Sequence, residues 1–177
     1  MDTIKIPNTE NLHSKATEIL NGMKKAMGMI PNIYAVMGYS ENTLEAHSQA
    51  TSILSKGAFN NREREAISLA VAEENGCKYC QSAHTAVAKM NGFSDEETYQ
   101  LRKGKIGDSR LKSITELSKN IIQTKGNVNK ESLEKFFQQG FDNKALVELV
   151  ALISLGTLTN YLGKITNIPI DFPVARD

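Results

Sequence analysis

The sequence predicts an all-α protein, and three observations support that prediction. Apolar residues recur at three- and four-residue steps along most of the 177 residues, as they do in amphipathic helices. Residues typical of helix caps and left-handed turns separate these stretches, and no stretch shows the period-two alternation of a half-buried strand. We therefore expect one compact helical domain over residues 1–177, which is long enough to bury a core.

Cap signals divide the first half of the chain into six helices. Asn60 with Glu63 and Ser94 with Glu97 have the spacing of capping boxes, so each pair predicts a helix start. Gly76, after an asparagine, offers the left-handed backbone conformation that ends helices. The expected helices span residues 8–27, 33–37, 41–56, 60–74, 77–90 and 94–102.

Three more helices are expected in the second half, over residues 110–124, 130–139 and 143–165. Gly126 and Gly140 separate them. The tail, residues 168–173, contains Pro169 and Pro173, and each proline favours extended geometry at the residue before it. We expect this tail to be non-helical.

Composition argues against several classes of function. The formal net charge is +1 and no basic stripe is interleaved with aromatic residues, so nucleic acid is not an expected partner. The first residues lack the basic region and apolar core of a signal peptide. The most apolar stretch, residues 146–158, contains Glu148 and is shorter than the ~20 residues that span a bilayer. We expect a soluble, cytoplasmic protein without a membrane segment.

The segment NGCKYCQSAHTA carries both cysteines of the chain, Cys77 and Cys80, together with His84. On a helix these three residues lie on one face, on successive turns. After Gly76 the cysteines fall in the first turn, where unpaired N–H groups and the helix dipole favour the reactive thiolate. The sulfurs lie near disulfide range, and His84 is placed to relay a proton.

Glu65 is a second candidate for the site. Its helix is apolar almost all round, and Glu65 shares a line with Leu69 and Ala72, so the carboxylate should face inward. A partly buried carboxylate is a plausible general base. The alternative is an ion pair with Arg62 or Arg64.

The cysteine cluster has other readings. A zinc site would need a fourth ligand from His13, His47 or a carboxylate, none of which stands at a recognisable spacing. Two buried, inert cysteines beside a surface histidine form another alternative. A thioredoxin-type centre requires a preceding strand, which the pattern does not predict. We expect no metal and no cofactor.

With its spacings, the set Glu65, Cys77, Cys80 and His84 resembles the alkylhydroperoxidase D (AhpD-like) branch of the carboxymuconolactone decarboxylase family. The similarity extends over residues 31–98, including AHTAVAKMNGFSDEE after the motif. It implies an all-α fold, thiol-dependent reduction of hydroperoxides and assembly into homo-oligomers, either trimers or hexamers. Tyr79 departs from the pattern, because alkylhydroperoxidase D commonly has a histidine there. The decarboxylases that name the family lack the cysteine pair.

The resemblance also implies roles for these residues. Cys80 would attack the peroxide, Glu65 and His84 would form the proton relay, and Cys77 would resolve the sulfenic acid to a Cys77–Cys80 disulfide. A dithiol such as a lipoylated carrier protein would restore the thiols, with a peroxiredoxin as an alternative partner. The competing hypotheses are a redox-sensing or disulfide-exchange protein without substantial turnover and a zinc-stabilised helical interaction module.

Overall fold

The computed structural model describes residues 4–177, which contain helices and no strands. The all-α prediction is therefore confirmed over this part of the chain. The helices are α1 (Ser14–Met27), α2 (Asn32–Met37), α3 (Glu41–Leu54), α4 (Asn61–Glu74), α5 (Lys78–Met90), α6 (Asp95–Lys103), α7 (Ser109–Thr124), α8 (Lys130–Gln138) and α9 (Asn143–Thr166).

Both predicted capping boxes are present. At the start of α4, Asn60 Oδ1 accepts from the Glu63 N–H at 3.0 Å, and Glu63 Oε2 accepts from the Asn60 N–H at 2.9 Å. Ser94 and Glu97 form the same reciprocal pair before α6. These bonds satisfy donors that a helix start leaves unpaired, which is why the motif located both helices correctly.

The first predicted helix was wrong at its beginning. Residues 9–11 form a separate 3₁₀ turn capped by Asn8, and the backbone is extended at Leu12. The imidazole of His13 then caps α1, its Nδ1 accepting from the Lys15 N–H at 3.3 Å. Two caps five residues apart stop one helix from running through, although the apolar spacing continues across the break.

Helix α4 lies at the centre of the fold and packs against α5, α6, α7 and α9. Its apolar residues are buried on all sides, which matches its nearly continuous apolar sequence. One face packs into a core with α7, α8 and α9 through Ile67, Ile114, Phe136 and Leu149. Because α4 also contacts α5, this core supports the helix pair that carries the predicted site.

Helix α9 is longer than the apolar stretch seen in the sequence. It continues to Thr166, and by length and composition alone its 24 residues could cross a membrane. One side packs against α3, α4, α5 and α7 of the same domain. Most of the apolar part of the helix is not buried in the chain.

The tail after α9 is extended, as predicted, and crosses α2, α5 and α6. Its backbone and side chains are fixed at several points along its length. Asp171 Oδ2 accepts from the Asn32 N–H at 2.7 Å, and the Ala175 N–H donates to Ser82 Oγ at 3.1 Å. Further on, Arg176 pairs with Glu96 and Asp177 with Lys78. The tail therefore forms part of the wall around the cysteines.

Candidate functional site

Cys77 and Cys80 form a disulfide at the start of α5, with their Cα atoms 5.3 Å apart. Cys77 is the N-cap residue, and its Sγ accepts from the Cys80 N–H at 3.2 Å. A tight turn at Gly76, with φ of +64°, separates α4 from α5 and places both sulfurs in the first turn. The side chains are almost fully buried, with exposed fractions of 1% and 3%. The predicted reversible pairing is thus sterically possible at this helix end.

The backbone of α9 closes one side of the disulfide at Gly163. A β-carbon at this position would lie 3.3 Å from Cys77 Sγ and 3.9 Å from Cys80 Sγ. Such a distance to Cys77 is shorter than an ordinary van der Waals contact. The absence of a side chain at Gly163 therefore lets α9 approach the sulfurs.

His84 and Glu65 are in direct contact across the α4–α5 pair. Nδ1 of His84 lies 3.0 Å from Oε2 of Glu65, and the carboxylate is the more buried partner. A carboxylate beside Nδ1 favours a proton on that nitrogen, which leaves Nε2 of the neutral ring as an acceptor. The pair therefore has the form of an oriented general base.

The alternative ion pairs of Glu65 are not formed. Arg62 stacks over the ring of Phe93, 3.8 Å from its centroid, and donates to the Gly92 carbonyl at 2.8 Å. Arg64 donates to the Phe59 carbonyl at 2.7 Å. Both guanidinium groups thus hold loops at the ends of α4 and α5.

Cys80 and His84 share the wall of a small cavity of about 80 Å³, called here the Cys80 cavity. The shared cavity gives the sulfur and the imidazole access to one bound molecule. Apolar and aromatic side chains predominate in its wall, so it suits a small, weakly polar substrate. The other lining residues are Met27, Pro31, Ile33, Tyr34, Tyr79, Ala83, Val87, Thr159 and Phe172.

Tyr79 has a structural role that the sequence did not reveal. Its buried hydroxyl accepts from the Ile33 N–H at 3.3 Å, and its ring meets Phe172 edge-on with centroids 6.0 Å apart. The N-cap residue of α2, Pro31, makes no side-chain cap bond, so Tyr79 and Asp171 satisfy the first N–H groups of that helix. Burial raises the pKa of Tyr79, and the Asp171 carboxylate adds to this effect.

Tyr34 is a site residue that sequence reasoning missed. It lines the Cys80 cavity, and its ring packs against His47 with centroids 5.7 Å apart. Burial raises the pKa of Tyr34, and the negative charge of Glu65 raises it further. Its position within the short helix α2 carried no motif that could have linked it to Glu65.

The remaining histidines do not line the Cys80 cavity and have other contacts. His13 caps α1, whereas His47 is buried on α3, and burial lowers its pKa. Among residues 4–177, no three His, Cys, Asp or Glu side chains are grouped so that they could hold a metal ion. The zinc alternative gains no support from this arrangement.

The model of the carboxymuconolactone decarboxylase family matches residues 41–104. This segment covers about a third of the chain and contains all four residues of the motif, from Glu65 to His84. Over this segment the chain is similar to the carboxymuconolactone decarboxylase family. Among curated protein sequences, none matches the chain significantly.

Solved structures show that the AhpD-like fold extends over nearly all of the chain. An alkylhydroperoxidase AhpD core protein from Ralstonia eutropha JMP134, described as peroxidase-related, superposes with a TM-score of 0.85 at 18% identity, covering 96% of this chain and 92% of that one. A peroxidase-related protein from Silicibacter sp. TM1040 gives 0.81 at 18% identity, with coverages of 94% and 90%. At such identities the comparison establishes the fold.

A third solved structure with this fold has a different activity. The debrominase Bmp8 in complex with 2,3,4-tribromopyrrole superposes with a TM-score of 0.79 at 14% identity, covering 96% of this chain and 94% of that chain. The AhpD-like fold therefore serves more than one chemistry. The function of this chain has to be argued from its own site.

Proposed function

We propose that this protein is a thiol-dependent peroxidase that reduces hydroperoxides through the Cys77–Cys80 pair. The observation that carries the proposal is the 3.0 Å contact between His84 and Glu65 on the wall of the cavity that Cys80 lines. A base oriented by a carboxylate beside a cysteine is the arrangement that activates a thiol nucleophile. The peroxidase-related proteins with the same fold support this reading.

In the first step, His84 takes the proton of the Cys80 thiol and the thiolate attacks the terminal oxygen of the hydroperoxide. The O–O bond breaks, Cys80 becomes a sulfenic acid, and the alkoxide receives the proton from His84 to leave as an alcohol. Glu65 holds the imidazole and stabilises its charged form between the two transfers.

In the second step, Cys77 attacks the sulfenic sulfur of Cys80. Hydroxide leaves and is protonated to water, and the Cys77–Cys80 disulfide forms. The pair has then lost two electrons and the hydroperoxide has gained two. The proximity of the two cysteines favours this intramolecular step, since their Cα atoms lie 5.3 Å apart at the start of α5.

A dithiol must then return the protein to its reduced form. A lipoylated carrier protein would supply such a dithiol, and a peroxiredoxin is an alternative thiol partner. Because reducing partners are maintained in the cytoplasm, the proposed place of action is cytoplasmic.

The exposed face of α9 supports self-association as a homo-oligomer. Five large apolar side chains on this face, between residues 147 and 165, are spaced by three or four residues or by sums of these steps. They remain 41–75% exposed. Such a stripe is typical of a helix that packs against another helix, and this one has no partner in residues 4–177. The members are Val147, Val150, Leu158, Tyr161 and Ile165.

The peroxidase proposal is tested by a single turnover of reduced protein with an organic hydroperoxide. Wild type should lose two thiols per peroxide, and Cys77→Ser should stop at a sulfenic acid on Cys80 that dimedone traps. Cys80→Ser should not react. Oxidation of Cys77 to a sulfenic acid in Cys80→Ser, at a rate like that of wild type, would refute the assignment of the nucleophile. Oxidation without turnover under any dithiol would favour the redox sensor.

Reductive debromination is a second candidate, and the apolar wall of the Cys80 cavity favours it. In this reaction the Cys80 thiolate takes the bromine, the C–Br bond breaks and the ring carbon gains a proton from the protonated His84. Cys77 then attacks Cys80 Sγ and displaces bromide as the disulfide forms. Electrons balance as they do with peroxide. Bromide release from a bromopyrrole, measured beside peroxide consumption, separates the two activities.

A further inference from the structure

Two separate cavities are each lined by one cysteine of the disulfide. The Cys80 cavity includes Cys80 but not Cys77. A second cavity, of about 520 Å³ and called here the Cys77 cavity, includes Cys77 but not Cys80. Tyr79 is the one described residue that lines both. The two ends of the disulfide therefore face different surroundings.

The Cys77 cavity lies where the turn before α5 meets the end of α9 and the start of the tail. Gly76 and Gly163 both line it, and neither adds a side chain that would fill the space. Ile168 and Ile170 from the tail supply an apolar side. Its volume is suited to a molecule larger than a simple hydroperoxide.

Two lysines give the Cys77 cavity a positive charge. Nζ of Lys164 donates to the Asn75 carbonyl at 2.9 Å, and among residues 4–177 it has no carboxylate partner. Nζ of Lys78 pairs with the exposed carboxylate of Asp177. Lys164 is therefore the charge that an incoming anion could engage without displacing an ion pair.

We infer that the Cys77 cavity is the site where a low-molecular-weight dithiol bearing a carboxylate reduces the disulfide, in place of the carrier-bound dithiol named above. This inference rests on the proposed function, because it names the reductant class and the sulfur that the reductant attacks. Lys164 would hold the carboxylate, and the apolar side formed by Ile168 and Ile170 would contact the carbon chain of the thiol.

The exchange proceeds in two balanced steps. A reductant thiolate attacks Cys77 Sγ, the Cys77–Cys80 bond breaks, and Cys80 leaves as a thiolate beside His84. The second thiol of the reductant then attacks the reductant's first sulfur, which is bonded to Cys77 in the mixed disulfide. This attack closes the oxidised reductant and releases Cys77 as a thiol, so two electrons pass from the dithiol to the protein.

Attack at Cys77 has a consequence for the catalytic cycle. It frees Cys80, the proposed nucleophile, inside the cavity that receives the substrate. At about 80 Å³ the Cys80 cavity is too small to hold a substrate and a dithiol together. Separate cavities therefore let the reductant and the hydroperoxide reach the same disulfide without competing for one space.

The test compares two dithiols that differ in one group, dihydrolipoate with a carboxylate and dihydrolipoamide with a neutral amide. Oxidised protein is mixed with each, quenched with an alkylating reagent at timed intervals and analysed by intact mass. For Lys164→Gln we expect the rate of disulfide reduction by dihydrolipoate to fall about five-fold, because one screened charge contact is lost. The rate with dihydrolipoamide should fall less than about two-fold. High salt should reduce the difference.

Lys144→Gln is the matched control, because it removes an exposed lysine from the other end of α9 and should leave both rates unchanged. If Lys164→Gln lowers the rate of reduction by both dithiols equally, the lysine only supports the local structure. Unchanged rates with both would also overturn the inference.

A second measurement identifies the attacked sulfur. Oxidised wild type treated with the monothiol glutathione and then alkylated should carry glutathione on Cys77 and the alkyl group on Cys80. The reverse labelling would refute attack through the Cys77 cavity. These assays start from the disulfide and need no peroxide, so they are independent of the peroxidase proposal. That proposal would be refuted separately if the reduced protein consumed no peroxide.

Discussion

Gly163 brings the backbone of α9 close to the sulfur of Cys77, at a distance where a methyl group would be crowded. A β-carbon on Gly163 would lie 3.3 Å from Cys77 Sγ and 3.7 Å from Ile33 Cδ1. The sulfur is buried and bonded to Cys80, so it has little freedom to move away. The close approach of α9 to the disulfide thus depends on this residue type.

Gly163→Ala should therefore fail to stabilise the oxidised protein. A Gly→Ala change inside a helix ordinarily adds about 0.5–1 kcal/mol to the free energy of unfolding. Crowding of a packed core costs about 1–3 kcal/mol, which exceeds that gain. We expect a net loss of about 1 kcal/mol in urea denaturation of the oxidised protein.

Gly22→Ala is the matched control for this substitution. Gly22 is also inside a helix, on the exposed side of α1, and a β-carbon there would meet no atom within 4 Å. The free energy of unfolding of Gly22→Ala should rise by about 0.5–1 kcal/mol. If the free energy of unfolding rises by similar amounts in both variants, the Cys77 sulfur can move away from the added methyl group without loss of stability.

Removing the charge of Glu65 should slow the oxidation of the cysteines. Glu65→Gln keeps an acceptor for His84 Nδ1–H but no longer stabilises the imidazolium, so we expect the rate with hydroperoxide to fall about 10- to 100-fold. The measurement is stopped-flow peroxide consumption by reduced protein across pH. Glu45→Gln, on the surface at the Lys15 ion pair, should leave the rate unchanged. An unaltered rate and pH profile in Glu65→Gln would remove Glu65 from the relay.

Tyr79→Phe separates a structural role from a role in proton transfer. The change leaves the buried Ile33 N–H without its acceptor, which should cost about 1–2 kcal/mol of stability. Since the hydroxyl is engaged with α2, the peroxide rate should change less than two-fold. Thermal unfolding and stopped-flow kinetics on the same samples check both statements. A loss of rate with unchanged stability would instead place Tyr79 in the relay.

The site was predictable from the sequence where its geometry is local. Cys77, Cys80 and His84 lie within one helix, so helical spacing alone places them on a common face. Glu65 was added because it shares an inward-facing line with Leu69 and Ala72 and because the set resembles a family motif, and the tight turn at Gly76 brings its helix next to theirs. In the same way, the capping boxes located α4 and α6 because each bond joins residues only three positions apart.

The parts that the sequence did not reveal depend on long-range packing. Tyr34, Gly163 and Phe172 reach the cysteines from α2, α9 and the tail, and no periodicity relates such distant segments. A lone glycine inside the apolar helix α9 was a signal of close approach, although nothing indicated what approached it. The role of Tyr79 as the acceptor for α2 likewise required the tertiary structure.

His47 should make the protein less stable in mild acid. Burial lowers the pKa of His47, and its Nδ1 has no hydrogen-bond partner among residues 4–177. The unfolded chain therefore binds a proton near its ordinary pKa of about 6.5 while the native ring stays neutral. This contribution to stability is present above that pH and is lost as the pH falls.

The check is the free energy of unfolding at pH 7.5 and 5.5. His47→Leu should show a smaller decrease than wild type, because other titrating groups are common to both. His13→Asn replaces one N-cap acceptor of α1 with another, so its free energy of unfolding should decrease between these pH values as much as that of wild type. An equal decrease in His47→Leu would mean that other groups set the acid sensitivity.

If the apolar stripe on α9 forms the proposed homo-oligomer interface, a charge placed on it will weaken the assembly. Val147 is 71% exposed, so Val147→Glu should not disturb the fold of one chain, whereas in a helix–helix interface it would bury an unpaired carboxylate. We expect the dissociation constant to rise at least about ten-fold in sedimentation over a concentration series. Met90→Glu, at an 86% exposed apolar residue of α5, should leave it unchanged. A wild-type protein that stays monomeric at all concentrations would contradict the interface, because the stripe would then be covered by another partner or by none.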